Sequence, residues 1–433
     1  MIGAGDRVAL AASGRSATLV ELLGEGSQGA VFEAVADDGE RLAVKWYLPR
    51  SGTEGQRNLV ADLVDRGAPD DRFLWPLEMV SSSAEDGFGY VMRLRPDDYA
   101  GLAELLKGKV DVGFSVVCRL SIELADAFLQ LHIQGLCYRD ISFSNVFFDP
   151  ESGRPLICDN DNVGVDGASI TSVLGTRKFM APEIVRREAN PSAATDLYSL
   201  SVLLFYVLVM GHPLLGRREL DYECWDDVAE SELFGRSPLF VFDPTDGANA
   251  PAPDLHAAVI RYWALYPPYI RDLFVQAFTE GLREPVHGRV RESMWRSNLA
   301  RLRDSIVRCG NCCKEVFVHL PGRATVCWFC DREVTDTLWL QLGRRQVGVA
   351  EGAQVTAHHL RGDYDFETVV ATMVRHPVRA DLLGLRNDTD EVWSAVVGDE
   401  EREVPPGRSL GLVEGTSLTL GSCAARVVTA HQR

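Results

Sequence analysis

The sequence predicts an α+β protein with two lobes, followed by a cysteine-rich ribbon and a small all-β module. Three observations lead to this fold class. Residues 17–48 alternate between apolar and polar side chains as strands do, residues from about 100 to 307 follow a helical period, and the stretch after about 335 is again strand-like. We place the four parts at residues 1–95, 96–306, 307–334 and 335–433.

The strands of the first lobe carry a glycine-rich turn. Gly24, Gly26 and Gly29 have G-x-G-x-x-G spacing between two predicted strands, and Lys45 follows on a third strand after a D-D-G hairpin signal. Glycine lets a backbone approach phosphate oxygens closely, and a lysine supplies a charge to them. Because no helix pattern follows the turn, a dinucleotide-binding fold is disfavoured. The alternative is a plain β-hairpin with a surface lysine.

The helical region opens with a long amphipathic segment. Leu120, Leu124 and Phe128 fall on one face of it, and Gly135 is a stop signal. The most apolar run of the chain, residues 201–210, is too short to span a bilayer. We therefore expect a buried helix there.

Three further motifs occur among the predicted helices. The stretch Y-R-D-I-S-F-S-N contains Asp140 and Asn145, and the stretch C-D-N-D-N-V-G contains Asp159 and Asp161. The stretch G-T-R-K-F-M-A-P-E contains Thr176. With the glycine-rich turn and Lys45, these motifs form a series whose order carries more information than any single member.

In this order, residues 15–305 resemble the eukaryotic-like Ser/Thr protein kinase family. The resemblance implies a bilobal kinase fold, ATP and Mg²⁺ as cofactors, and Ser/Thr hydroxyls of the chain itself or of a partner protein as phosphate acceptors. Asp140 would stand in the position of the catalytic base. Asn145 and Asp159 would hold Mg²⁺, with Asp161 as the alternative to Asp159.

The same resemblance assigns residues around the nucleotide. Lys45 would contact the α- and β-phosphates. Val31 and Ala43 would cover the adenine ring, and the backbone near Arg93 and Arg95 would bind its edge. These assignments follow from the family pattern and from nothing else in the sequence.

The resemblance also bears on the activation segment. Thr176, near its end, is counted with the catalytic residues, and Glu183 is expected to pair with Arg289. If phosphorylation regulates the chain, Arg139 would receive the phosphate; alternatively, Arg139 packs or pairs with a carboxylate. The candidate hydroxyls are Ser169, Thr171 and Ser172.

Departures from the family pattern affect the expected activity. Gln56 stands where a helix glutamate is expected, with Glu54 as the neighbouring alternative, and Tyr138 replaces a histidine. Ser142 replaces a lysine that contacts the transferred phosphate, which would slow the reaction about ten- to hundredfold at about 1.4 kcal/mol per decade. The cations that follow Thr176 could supply part of the missing charge.

Three functions therefore remain open. The first is a weak protein-serine/threonine kinase. The second is a pseudokinase scaffold that binds nucleotide and partner proteins without phosphoryl transfer. The third is a zinc-ribbon adaptor in which the kinase fold is only a platform.

More narrowly, phrases such as R-F-L-W-P-L-E and Y-R-D-I-S-F-S-N-V-F-F resemble bacterial kinases fused to a zinc ribbon. Such kinases occur in stress-response or tellurite-resistance-type systems. The resemblance implies two partners besides a protein substrate, a metal-dependent protein phosphatase and a von Willebrand factor A protein.

Two cysteine pairs follow the helical region. Cys309 and Cys312 form one C-x-x-C knuckle, and Cys327 and Cys330 form another after a spacer of fourteen residues. This spacing predicts a tetrahedral, structural zinc site. Cys313 leaves open which thiol of the first pair is the ligand. We interpret His319, between the pairs, as a surface residue, and the alternative for the cysteines is a buried or redox-active set.

The strand-rich stretch at 335–433 loosely resembles the last strands of forkhead-associated domains. Asn387 matches one phosphothreonine-reading position of that family, but no convincing Ser-x-x-His segment precedes it. A plain protein-interaction or scaffold module is the alternative.

Composition limits the class of partner. The 433 residues include 62 Asp and Glu against 44 Lys and Arg, a net charge of −18. This acidity argues against a nucleic-acid surface, which needs clustered cations. The N-terminal residues lack the basic start and apolar core of a signal peptide. We therefore expect a cytoplasmic protein without a membrane or nucleic-acid partner.

Overall fold

The computed structural model describes residues 2–167, 175–318, 325–334, 338–376, 378–379 and 382–429. The candidate phosphorylation sites Ser169, Thr171 and Ser172, and His319, lie outside the described residues. The chain divides into two compact units. The first comprises Met1–Val112, Arg119–Trp263 and Arg271–Arg296, and the second comprises Gly113–Cys118, Ala264–Ile270 and Ser297–Arg433.

The first lobe is a closed six-stranded antiparallel barrel with one helix. Its elements are β1 (Arg7–Leu10), β2 (Ser16–Glu25), β3 (Gly29–Ala36), β4 (Arg41–Tyr47), α1 (Glu54–Arg66), β5 (Glu78–Ser82) and β6 (Gly89–Arg93). The strand order is β1-β2-β3-β4-β6-β5, and pairing of β1 with β5 closes the barrel. Sequence analysis missed β1, because four alternating residues give too short a pattern to separate from a loop.

Helix α1 begins and ends at residues suited to those positions. The side chain of Thr53 accepts a hydrogen bond from the backbone N–H of Gln56 at 3.2 Å. Gly67 ends the helix with φ of +75°, a conformation that glycine adopts without strain. Val60 and Leu63 are buried, so the opposite face, with its charges, is exposed.

The helix-rich region contains five short strands and nine α-helices among its described residues. They are β7 (Ala100–Gly101), α2 (Leu102–Leu106), α3 (Phe114–Ile133), β8 (Leu136–Cys137), β9 (Val146–Phe148), β10 (Pro155–Ile157), β11 (Gly164–Val165), α4 (Pro182–Val185), α5 (Ala193–Val209), α6 (Asp227–Ser231), α7 (Ala257–Leu265), α8 (Pro268–Phe278), α9 (Glu280–Arg283) and α10 (Glu292–Asp304).

Helix α5 is the buried helix expected from the apolar run. Side chains from Val202 to Phe205 are fully buried, and the side chain of Ser192 caps the helix by accepting from the N–H of Thr195. Through the described residues, no helix is both long and apolar enough to cross a membrane.

The second unit contains two short hairpins. Strand β12 (Ile306–Arg308) pairs with β13 (Glu315–Phe317), and β14 (Thr325–Val326) pairs with β15 (Glu333–Val334). Each hairpin turn contains one C-x-x-C pair. This arrangement of the two cysteine knuckles is compatible with the ribbon that their spacing predicts.

Two antiparallel sheets complete the second unit. Their elements are β16 (Leu338–Leu342), β17 (Arg345–Gly348), β18 (Gln354–Thr356), α11 (Ala357–Arg361), β19 (Val369–Arg375), β20 (Leu383–Asn387), β21 (Trp393–Val397), β22 (Glu400–Val404), β23 (Ser409–Gly411), β24 (Ser417–Leu420) and β25 (Cys423–Thr429). One sheet has the order β17-β16-β25-β24-β21-β22 and the other β18-β19-β20-β23. Leu340 and Val427 from the first sheet and Met373 and Leu385 from the second share one apolar core.

Candidate active site

Lys45 on β4 lies at the centre of a cluster of polar side chains in the first unit. Its Nζ is 2.9 Å from the carboxylate of Asp161 and 3.4 Å from Oδ1 of Asp159. It also donates to Oε1 of Gln28 in the glycine-rich turn at 3.4 Å. Burial would lower the pKa of Lys45, but the two carboxylates more than offset this effect and the pKa is raised. Lys45 is therefore a buried cation at neutral pH.

The loop after β10 carries the two aspartates. Asp159 has a left-handed backbone with φ of +53°, and a single 3₁₀ turn, Asn160–Asn162, follows it. The side chain of Asp159 is 45% exposed, whereas that of Asp161 is 0% exposed. The turn thus directs one carboxylate toward solvent and buries the other.

Asp140 follows β8 and lies beside Thr176. Its Oδ1 accepts hydrogen bonds from the backbone N–H of Thr176 at 2.7 Å and from the hydroxyl of Thr176 at 2.8 Å. Nδ2 of Asn145 donates to the carbonyl of Asp140 at 2.9 Å and to its Oδ2 at 3.3 Å. Burial raises the pKa of Asp140, although these hydrogen bonds oppose the rise. Sequence analysis selected all three residues, and the structure brings them together.

A buried aspartate on α5 holds the segment that leads into Asp140. Asp196 accepts from the backbone N–H of Tyr138 and, at 3.0 Å, from that of Arg139. Asp196 also contacts Nε2 of His132 at 3.1 Å, and the other ring nitrogen of His132 contacts Glu292. Arg139 has φ of +75°, so these contacts stabilise a backbone conformation that non-glycine residues rarely adopt.

The two substitutions in the loop have different surroundings. The hydroxyl of Tyr138 donates to the carbonyl of Cys158, directly before Asp159. The phenol thus connects the Asp140 loop to the Asp159 loop. Ser142 is buried, and its hydroxyl is 2.7 Å from that of Ser144.

The cations after Thr176 are engaged elsewhere. Arg177 pairs with Glu230 at 3.2 Å and with Asp227 at 3.5 Å. Lys178 lies over the ring of Trp225, with 5.5 Å between Nζ and the ring centroid. These contacts give no support to the idea that either cation replaces the charge lost at Ser142.

The three glycines of the glycine-rich turn have different surroundings. A Cβ at Gly29 would lie 2.2 Å from the carbonyl oxygen of Trp46, so the pairing of β3 with β4 requires glycine there. At Gly26 the nearest atom would be 3.9 Å away, and at Gly24 no atom lies within 4 Å. Glycine at these two positions leaves open space, which suits close approach of phosphate groups.

The remaining nucleotide-site candidates lie on the strands beside Lys45. Ala43 on β4 pairs with Met92 on β6, and Val31 on β3 pairs with Lys45. Arg93 ends β6, and its side chain donates to the carbonyl of Phe73 at 3.3 Å.

The guanidinium of Arg95 donates to the carbonyl of Tyr99 at 2.6 Å and lies 4.4 Å from the ring centroid of Phe147. Both arginine side chains are therefore engaged in contacts within the protein, and only the backbone groups of these residues are candidates for binding adenine.

Gln56 on α1 contacts the neighbours of Lys45. Its Nε2 donates to the hydroxyl of Tyr47 at 3.2 Å and to the carbonyl of Asp161 at 3.1 Å. The expected pair of Glu183 and Arg289 is present, with 2.6 Å between Oε1 and a guanidinium nitrogen.

Sequence analysis missed three residues of this site: Tyr47, Gln28 and His132. Tyr47 reads as an ordinary strand aromatic, Gln28 as a turn residue, and His132 as a helix residue. Only the structure, which brings distant segments together, separates them from the many similar residues of the chain.

The four cysteines form a compact cluster in the second unit. Sγ of Cys309 is 3.7 Å from that of Cys330, and Sγ of Cys312 is 3.6 Å from that of Cys327. All four sulfur atoms lie within 4.8 Å of one another. A tetrahedral zinc ion with Zn–S bonds of about 2.3 Å requires sulfur separations of about 3.8 Å, so the donor set fits zinc.

The two knuckles have the same local geometry. The N–H of Cys309 donates to the carbonyl of Lys314, and the N–H of Cys327 donates to that of Arg332, five residues on in each case. Cys313 and Asp331, each four residues after the first cysteine of its pair, have φ of +60° and +56°. Cys313 is exposed and lies outside the cluster, which identifies Cys312 as the member of the first pair.

Comparison with known proteins agrees with this geometry. Residues 79–240 match the family model described as a protein kinase domain. This match confirms the kinase-like, bilobal fold class predicted from the sequence. The matched range includes Asp140, Asn145, Asp159 and Thr176.

Several curated proteins are similar to the chain. It is 30% identical over 185 residues to "CBL-interacting protein kinase 4" of Oryza sativa subsp. japonica, which covers 39% of this chain and 38% of that protein. It is 23% identical over 203 residues to "Protein kinase gsk3" of Schizosaccharomyces pombe, covering 46% and 52%. It is 27% identical over 202 residues to "Serine/threonine-protein kinase sck2" of the same yeast, covering 43% and 30%. The chain thus spans about half or less of the length of these relatives.

Proposed function

We propose that the chain is an ATP- and Mg²⁺-dependent protein kinase that transfers the γ-phosphate to Ser/Thr hydroxyls of itself or of a partner protein. The observation that carries the proposal is the convergence of Asp140, Asn145, Asp159 and Lys45 within one unit, part of which, residues 79–240, matches a protein kinase domain. One of the similar proteins, from Schizosaccharomyces pombe, is a serine/threonine-protein kinase by name, which supports the choice of acceptor.

Each residue has a chemical task in this proposal. Asp140 orients the acceptor hydroxyl and takes its proton as the oxygen–phosphorus bond forms and the bond from the γ-phosphorus to ADP breaks. Lys45 supplies a fixed cation to the phosphates, and Asn145 and Asp159 offer the oxygen ligands that Mg²⁺ prefers. Bound Mg²⁺ would neutralise charge on the phosphates.

The remaining assignments complete the proposed nucleotide site. The open space at Gly24 and Gly26 would admit the phosphates. Thr176 would hold Asp140 in place until a substrate arrives, since it already donates two hydrogen bonds to that carboxylate. The adenine would lie against Val31 and Ala43, with the backbone near Arg93 and Arg95 at its edge.

We propose further that the Cys309–Cys330 cluster binds one structural zinc ion. Four protein ligands leave no open position for a substrate, which favours a structural role. The four-part division at 1–95, 96–306, 307–334 and 335–433 and the cytoplasmic location remain predictions from the sequence pattern. The bacterial context, with phosphatase and von Willebrand factor A partners, remains a prediction from the resemblance to bacterial kinases.

The C-terminal module is best proposed as a scaffold. Asn387 is fully buried, and its Nδ2 donates to the carbonyls of Glu391 and Val404 at 2.7 and 2.9 Å. Its Oδ1 accepts from the hydroxyl of Thr389 at 2.7 Å. An amide engaged in this way supports a turn between strands rather than the reading of a phosphopeptide.

The proposal is tested with purified protein and γ-labelled ATP, followed by phosphosite mapping. Wild type should incorporate labelled phosphate slowly, and Lys45→Met should reduce incorporation at least tenfold because the phosphates lose a cation. Wild type that binds ATP, is supplied with candidate partners and still transfers no more phosphate than Lys45→Met would favour the pseudokinase alternative.

A further inference from the structure

Helix α1 does not supply a carboxylate to Lys45. Its buried side chains are the apolar Val60 and Leu63. The α1 side chain that reaches the neighbourhood of Lys45 is the neutral Gln56, which bonds to Tyr47 and to the backbone of Asp161. The acidic residues of the helix are all exposed: Glu54, Asp62 and Asp65.

A buried cation nevertheless requires a counter-charge, because an unpaired charge in a protein interior is strongly destabilising. Lys45 is 4% exposed. The carboxylate of Asp161, which is fully buried, lies 2.9 Å from its Nζ and is the closer of its two acidic contacts. The hydroxyl of Tyr47 donates to the same carboxylate.

These contacts separate Asp161 from the role of metal ligand. Both oxygens of its carboxylate lie 2.9 Å from Nζ of Lys45, and Oδ2 also accepts from the hydroxyl of Tyr47. Asp159, two residues earlier, keeps a carboxylate that is 45% exposed. We propose that Asp161 is a positioning residue that holds Lys45 for the nucleotide phosphates, in place of a carboxylate from the helix, and that Asp159 alone of the two binds the metal.

The surrounding hydrogen bonds connect this pair to the rest of the site. Gln56 holds the backbone of Asp161 from the helix side at 3.1 Å. Gln28 accepts from Lys45 at 3.4 Å and donates to Oδ1 of Asn162 at 3.1 Å. The 3₁₀ turn therefore sets the place of the lysine and of the exposed aspartate together, and α1 reaches the lysine through this turn and through Tyr47.

The test measures the dissociation constant of ATP as a function of Mg²⁺ concentration for wild type, Asp161→Asn and the control Asp159→Asn. Asp161→Asn should weaken ATP binding about tenfold, since Lys45 loses its partner, with the Mg²⁺ concentration for half-maximal binding unchanged. Asp159→Asn should raise that Mg²⁺ concentration about tenfold. The double variant Lys45→Met/Asp161→Asn should bind ATP no more weakly than Lys45→Met, because both changes remove the same interaction.

The inference would be overturned if Asp161→Asn raised the Mg²⁺ concentration for half-maximal binding as much as Asp159→Asn does. It would also be overturned if the double variant bound ATP more weakly than Lys45→Met by the full factor that Asp161→Asn causes alone. Thermal unfolding establishes that each variant is folded. If Asp161→Asn is not folded, Tyr47→Phe, which removes the other donor to this carboxylate, should weaken ATP binding about threefold with no shift in Mg²⁺ dependence; no weakening, or a shift, would overturn the inference.

The inference rests on the proposed kinase function but is measured separately from it. Nucleotide binding by Asp161→Asn tests the inference, whereas phosphoryl transfer by wild type tests the function. Wild type that binds ATP without transferring phosphate would contradict the function alone, and wild type that binds no ATP would contradict both.

Discussion

The active site of the first unit and the cysteine cluster of the second offer an ion very different surroundings. In the first, the oxygen ligands that we propose come from Asn145 and from Asp159, whose side chain is 45% exposed. In the second, four sulfur atoms lie within 4.8 Å of one another, and two of the four residues are buried. Few ligands and access to solvent suit an ion that arrives with a nucleotide, whereas a complete set of thiolates suits an ion that stabilises the fold.

The two sites also differ in how many segments of the chain build them. Both knuckles repeat one turn, with left-handed residues at equivalent positions, so each depends only on its own few residues. The active site instead joins the glycine-rich turn, β4, α1 and the loops after β8 and β10. A change at the cysteine cluster should therefore alter metal content and stability, and a change at the active site should alter activity with the fold retained.

The largest expected effect is on activity. Asp159→Ala should reduce phosphoryl transfer about a thousandfold, which corresponds to about 4 kcal/mol, because the exposed ligand that we propose for Mg²⁺ is lost. Zinc content should be unchanged. The matched control is Glu151→Ala, an exposed acidic residue of the β9–β10 hairpin, and initial rates with labelled ATP provide the measurement. Equal rates for Asp159→Ala and wild type would remove Asp159 from the site.

Zinc content should fall when cysteines of the cluster are replaced and stay unchanged when other residues are replaced. Elemental analysis of wild type should give about one zinc per chain, and Cys309→Ser/Cys330→Ser should give nearly none, since two of four ligands are lost. Cys313→Ser, which lies outside the cluster, should keep the metal. Wild type that is folded but contains no zinc would contradict the proposal that the cysteine cluster binds zinc.

The buried His132 gives the first unit a pH dependence. Burial lowers the pKa of His132, but Asp196 and Glu292 outweigh this and raise it to about 9 from 6.5. The histidine therefore contributes stability that is complete below about pH 6.5 and is lost as pH rises through about 9, up to about 3 kcal/mol.

Urea unfolding between pH 6.5 and 9.5, with wild type and His132→Gln compared, measures this contribution. The free energy of unfolding should fall more steeply with pH in wild type than in the variant. Parallel curves would mean that the protonated histidine does not stabilise the fold.

The smallest expected effects come from substitutions in the glycine-rich turn, where one glycine matters for stability and another for ATP binding. Gly29→Ala should lower the free energy of unfolding by about 1–3 kcal/mol, because its Cβ would meet the carbonyl of Trp46. Gly26→Ala should change it by less than about 0.5 kcal/mol and yet weaken ATP binding a few-fold. Thermal unfolding and ATP titration of both variants check this, and equal stability loss in both would contradict the assigned roles.

The two regions also differed in how far the sequence predicted them. The cysteine ligands follow from spacing, because a C-x-x-C turn is closed by its own backbone. Asp140, Asn145 and Asp159 follow from motifs in order. The part played by Asp161 could not be predicted, since it depends on a 3₁₀ turn that buries one aspartate and exposes another two residues away. Strand β1 was missed because its pairing with β5 joins residues about seventy positions apart.

The most direct test of the account is single-turnover phosphoryl transfer at saturating MgATP in wild type and Asp140→Asn. Asparagine can still accept hydrogen bonds from Thr176, but it cannot take the proton of an acceptor hydroxyl. The account predicts that Asp140→Asn binds ATP within about twofold of wild type and transfers phosphate at least about a hundredfold more slowly. Transfer at the same rate in both proteins would contradict it.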